Sequence, residues 1–127
     1  MPLEIVRKIR PDFADERGEI ANILEEPINH VAIIKSKAGA IRGNHYHPNQ
    51  IQYVYLVNGK YESIAKDITK EDDKTESTIV EPGDLVITPP MVAHTMRFLE
   101  DSVFINMTTG HRDSDEYKNH TIKFKLV

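Results

Sequence analysis

Short runs rich in β-branched and aromatic residues, each closed by glycine, proline or asparagine, recur through this chain, and that pattern restricts it to the all-β sandwiches and barrels. The runs cover residues 31–35, 50–57, 61–67, 75–80, 84–88, 94–99, 102–107 and 120–126. Breaks fall at Gly39, Pro48-Asn49, Asn58-Gly59, Pro82-Gly83, Pro89-Pro90 and Gly110. Asn58-Gly59 predicts a tight hairpin, since both residues tolerate the positive φ of a type I′ turn. Residues 66–76 are nearly all charged or polar and predict a solvated hairpin tip. Only residues 21–26 hint at helix, over a length too short to sustain one alone.

The 127 residues fit a single domain spanning 1–127, able to bury roughly two thirds of the surface its unfolded chain exposes. Hydrophobic residues at 39% and charged residues at 28% place it among ordinary soluble proteins. The absence of cysteine removes disulfides, thiolate metal sites and cysteine nucleophiles from consideration. Residues 1–10 lack the pattern of a signal peptide, and no apolar run approaches the roughly 20 residues of a membrane span, so the expected location is cytoplasmic. Two glycosylation-type triplets, Asn106-Met107-Thr108 and Asn119-His120-Thr121, carry no weight in that compartment. A net charge of −4 with dispersed basic residues argues against a nucleic-acid partner.

His45 and His47 stand two residues apart, and on a strand residues at that spacing share a face. Both imidazoles are expected to point into the barrel, with Gln52, Val54 and Leu56 as the next inward set and Tyr53, Tyr55 and Val57 outside. His94 follows the Pro89-Pro90 turn, in phase with Met96 and Phe98. Three imidazoles from two strands suit a divalent transition metal (zinc, iron, nickel, manganese or copper) with coordination positions left open. The alternative for each is a hydrogen-bonded core histidine.

The spacing of Gly39, five residues, His45-Tyr46-His47, four residues, Gln52, six residues and Gly59 resembles the first motif of the cupin superfamily. Gly83, five residues, Pro89, and His94 four residues after Pro90 resemble the second. The resemblance runs from Gly39 to Phe98 and implies an all-β double-stranded β-helix, the cupin jelly-roll barrel. It implies metal ligands at His45, His47, Gln52 and His94. Gln52 stands where cupins usually have glutamate, and an amide oxygen brings no charge to offset a divalent ion. Met91 and Phe98 replace a glycine and an asparagine of the second motif, which affects turn shape and packing.

Residues 13–20 and the run Arg42-Gly43-Asn44-His45-Tyr46-His47 resemble cupins that act on nucleotide-linked sugars. These are the dTDP-4-dehydrorhamnose 3,5-epimerases, the dTDP-4-keto-6-deoxyhexose 3,4-ketoisomerases and the cupin domains of capsular polysaccharide enzymes. The ketoisomerases also tend to carry glutamine at the position of Gln52 and to work without metal. The resemblance implies proton abstraction next to a keto group of a dTDP- or UDP-sugar, with His47 as base, His45 beside it, and Arg42 on the diphosphate or the enolate. Asn44, Gln52, His111 and Arg112 complete the expected substrate contacts, the last two from a loop at 108–117 folded over the barrel mouth. The tyrosine acid of the ketoisomerases has no counterpart in residues 31–35, and the histidine–aspartate pair of the epimerases is not evident. Tyr46, Tyr53 and Tyr55 are the available substitutes.

Two other readings stay open: a metal-dependent dioxygenase or small-molecule isomerase, and a sugar- or metabolite-binding cupin without catalysis. A homodimer is expected in each case, built from sheet edges and the outward Tyr53, Tyr55 and Val57.

Overall fold

The computed structural model describes residues 2–110 and 121–127. Among these residues there are twelve strands and no helix: β1 (Ile5–Lys8), β2 (Phe13–Asp15), β3 (Gly18–Ile20), β4 (His30–Ser36), β5 (Ile41–Tyr46), β6 (Gln52–Asn58), β7 (Tyr61–Asp67), β8 (Glu76–Val80), β9 (Asp84–Thr88), β10 (Val92–Phe98), β11 (Ser102–Thr108) and β12 (Ile122–Lys123). No helix among them is long and apolar enough to cross a membrane.

Two five-stranded antiparallel sheets, in the orders β1-β9-β6-β11-β4 and β12-β5-β10-β7-β8, form the jelly roll expected from the sequence. Their facing sides alternate with period two, and the core between them is Val54, Leu56, Tyr61, Val80, Val86, Met96, Phe98 and Phe104. Phe98 stacks on Phe104 with ring centroids 5.8 Å apart and lies 5.4 Å from Tyr61. The phenylalanine that departs from the cupin motif thus packs in the core between the two sheets.

Four expectations fail here. Asn58-Gly59 does not close a hairpin, because β6 and β7 belong to different sheets and the chain crosses between them. Gly59 is required there by crowding: a Cβ would lie 2.6 Å from the Asp101 carbonyl oxygen and from Ser102 Cα. Residues 21–26 are not helical; Ile23 and Leu24, with Ile9 and Ile28, pack on the outer face of the first sheet against Tyr53, Leu85 and Met107. Tyr53 is consequently buried by its own chain, which removes it from the outer surface expected to meet a second copy. The last predicted strand shrinks to Ile122–Lys123, paired with β5. The charged tip at 66–76 does join β7 to β8, which pair antiparallel.

Candidate active site

His45 and His94 are direct cross-strand partners between β5 and β10. The register then slips, so that Thr95 opposes Gly43 and Asn44 is the extra residue of a β-bulge. Gly43 and Asn44 accordingly take φ values of 93° and 55°. A Cβ on Gly43 would stand 2.7 Å from the His94 carbonyl oxygen and 3.2 Å from its ring carbon Cδ2, so only glycine lets β5 approach the histidine strand. Asn44, expected at the substrate, has its amide occupied instead. Its Oδ1 accepts from Thr95 Oγ1 at 2.6 Å and from the Leu126 and Val127 amides, while Nδ2 donates to the Val127 carbonyl. It ties residues 126–127 to the bulge.

The bulge aims three imidazoles at one another. Ring centroids are 4.7 Å apart for His45 and His94, 4.9 Å for His45 and His47, and 5.9 Å for His47 and His94. Each ring offers a nitrogen within 4.8 Å of the other two. Nitrogens bound to a tetrahedral zinc at 2.0–2.1 Å stand about 3.4 Å apart, so three neutral imidazoles fit a divalent transition metal after a modest contraction. Gln52 Oε1 lies 3.3 Å from His47 Nε2, and His47 Nδ1 lies 3.2 Å from Thr121 Oγ1. With the amide oxygen accepting, the proton sits on Nε2 and Nδ1 accepts from the threonine hydroxyl. The His47 carbonyl also receives the Met91 N–H at 3.0 Å, from a turn in which Met91 holds a left-handed φ of 66°.

Beside the histidines lies a cavity of about 290 Å³. Arg42, His45, Gln52, His94 and Asn106 supply its polar wall, and Ile34, Ile41, Met96 and Phe104 its apolar wall. His47 is not among the described lining residues, so the imidazole facing this space from β5 is His45. Arg42 is exposed at the mouth, with Nε donating to Ser36 Oγ at 2.7 Å and a terminal nitrogen donating to the Lys35 carbonyl at 3.2 Å. His111 and Arg112 lie outside the described residues.

The fold recurs in enzymes of known structure. The epimerase RmlC of Legionella pneumophila Philadelphia 1, solved with dTDP-4-keto-L-rhamnose, aligns over 100% of this chain and 75% of its own at a TM-score of 0.80 and 16% identity. A double mutant of the QdtA 3,4-ketoisomerase from Thermoanaerobacterium thermosaccharolyticum, solved with TDP, aligns over 97% and 88% at 0.76 and 22%. The dTDP-4-dehydrorhamnose 3,5-epimerase from Sulfolobus tokodaii aligns over 93% and 74% at 0.72 and 22%. No curated protein sequence matches this one. The profile of the polysaccharide biosynthesis C-terminal domain matches residues 13–122. The chain belongs to that family.

In this polysaccharide biosynthesis domain, sequence reasoning missed two polar residues inside the barrel. Glu4 precedes β1 and sends its carboxylate inward, where Ser63 Oγ and Thr88 Oγ1 each donate to it at 2.5 Å. Burial raises its pKa above the ordinary value of 4.5, against the pull of those two hydrogen bonds. It shares with Gln52 and His94 a small internal cavity of about 10 Å³, the size of one water. Nothing in residues 1–10 signals this, because the contact depends on β1 pairing with β9 across about eighty residues of chain. Asn106 is the other, and its signal was present: it shares strand parity with Phe104 in an otherwise apolar run.

Proposed function

We propose that this domain is a sugar-nucleotide isomerase or epimerase that moves a proton next to the keto group of a dTDP- or UDP-linked keto-deoxyhexose. The observation that carries the reading is the 290 Å³ cavity, which sets imidazoles against an apolar wall with an arginine at the mouth. His45 is the base: it takes the proton from the carbon next to the carbonyl, and the bonding pair moves onto the keto oxygen to give an enolate. For isomerisation, the hydroxyl on the deprotonated carbon passes its proton to the enolate oxygen and the abstracted proton returns to the former carbonyl carbon, leaving the keto group one carbon along; return to the opposite face of the original carbon gives epimerisation. His47 supports His45, with Gln52 and Thr121 at its two nitrogens. Arg42, held by Ser36 and the Lys35 carbonyl, takes the diphosphate. Ile34, Ile41, Met96 and Phe104 suit the methyl group of a 6-deoxy sugar. The epimerase and ketoisomerase neighbours, by their bound dTDP-sugar and TDP, support this substrate class.

The test is proton exchange in heavy water, followed by NMR on dTDP-4-keto-6-deoxyglucose and its UDP counterpart. The wild type is expected to exchange the proton next to the carbonyl. His45→Asn should abolish exchange while still binding the nucleotide. Arg42→Ala should weaken binding by about 1–3 kcal/mol, the range for a hydrogen bond to a charged group. No exchange by the wild type with either sugar overturns the proposal.

The mutual approach of His45, His47 and His94 favours a second reading, a metal-dependent cupin enzyme. A divalent transition ion held by these three residues would act as a Lewis acid toward a bound carbonyl or hydroxyl. In that case His45, His47 and His94 would hold the ion, and Arg42 and the apolar wall would orient the substrate.

A further inference from the structure

The inward face of the first sheet is built in rows, and one row contains a group out of place. Ala32, Asn106 and Val54 are register partners on β4, β11 and β6, and Val86 on β9 extends the same row. Three of these four side chains are aliphatic. The neighbouring row, Ile34, Phe104 and Leu56, is wholly apolar. Asn106 is 5% exposed, and no other described residue gives its side chain a hydrogen bond within the barrel. It lines the cavity shared with His45 and His94.

Its amide is not among the described side-chain groups sealed off without a partner, so it opens onto the cavity, although its row neighbours would accept an aliphatic side chain in its place. The group that satisfies this amide therefore comes from the cavity. We infer that Asn106 is a substrate-recognition residue, one that reads the keto–hydroxyl pattern of the sugar ring opposite the imidazoles; the inference rests on the proposed sugar-nucleotide substrate. Nδ2 donates to the keto oxygen, and Oδ1 accepts from the hydroxyl on the neighbouring carbon. As the carbon–hydrogen bond breaks and charge reaches the keto oxygen, the Nδ2 hydrogen bond strengthens, so the amide favours the enolate over the bound ketone. A sugar reduced at that carbon still receives a hydrogen bond but never develops the charge.

Titration calorimetry with dTDP and with dTDP-4-keto-6-deoxyglucose, on the wild type, Asn106→Leu and Asn106→Ser, tests this. Thermal melting of each variant accompanies the titrations, and Asn106→Leu is expected to melt no lower than the wild type. Both variants should bind dTDP within about twofold of the wild type and the nucleotide sugar at least tenfold more weakly, with proton exchange slowed further. A variant that keeps wild-type affinity for the nucleotide sugar overturns the inference, as does an equal loss for dTDP, which would make Asn106 a prop for the site. A wild type that binds neither compound overturns the parent reading instead.

Discussion

Gln52 places its side-chain oxygen 3.3 Å from Nε2 of His47, so the residue that departs from the metal-cupin pattern is joined to the histidine it would accompany on a metal. A glutamate there would add a negative charge against the same imidazole. The amide oxygen instead meets the imidazole without adding charge.

Gln52→Glu is therefore expected to raise the metal retained on purification, because the three imidazoles already converge and the charge is what the site lacks. Elemental analysis of the wild type, Gln52→Glu, His47→Ala and His94→Ala is the measurement. Equal metal in all four proteins would remove the three-histidine site from consideration.

Met91 occupies a position where its backbone is strained, with φ at 66° and both its amide and carbonyl engaged, by the His47 carbonyl and the Ile68 amide. An L-residue in the left-handed region costs about 1–2 kcal/mol, and glycine loses about 0.5–1 kcal/mol of that advantage to the greater freedom of its unfolded chain. Met91→Gly should thus stabilise the fold by about 0.5–1 kcal/mol in urea denaturation. A drop in stability would show that the methionine side chain contributes more packing than its backbone strain costs.

What the sequence made legible was local. Strand parity and turn residues placed His45, His47 and His94 together, while Asn44, read from the Arg42-Gly43-Asn44 run as a substrate contact, sits in a bulge and bonds to residues 126–127. What stayed hidden depends on long-range register. Glu4 reaches Thr88 across 84 residues and Ser63 across 59, and no nearby pattern encodes such a meeting. The burial of Tyr53 was hidden for a related reason, since an irregular segment covers it and irregular segments have no period to read.

Glu4 predicts a pH dependence of stability. Its pKa is raised in the folded state, so the fold binds this proton more tightly than the unfolded chain does. The resulting stability is full below the ordinary glutamate value and is lost as pH rises through the raised folded value. Glu4→Gln removes that loss, so the variant should gain on the wild type between pH 4 and pH 7. Urea midpoints at pH 4, 5.5 and 7 check it, and a difference that stays constant over this range would contradict the assignment.

The last prediction concerns assembly. Among the described residues, strand β4 lies at the edge of the first sheet and pairs with β11 alone. Its outward residues Val31 and Ile33 are 62% and 71% exposed, an apolar pair on an edge strand of the kind that natural proteins normally cover. Charge guards it weakly, since Lys35 is the strand's one lysine. A two-fold axis beside β4 would let two copies pair antiparallel, continuing the sheet and burying Val31 and Ile33 of each against the other. This replaces the face around Tyr53, which the chain's own residues 23–28 already occupy. Light scattering at micromolar concentration is expected to give twice the 14.5 kDa of one chain. Ile33→Lys should return the mass to that of a single chain without lowering the melting temperature by more than a few degrees, because the residue is exposed within one copy. A wild type of 14.5 kDa would end the idea, and a dimer that survives Ile33→Lys would move the interface away from β4.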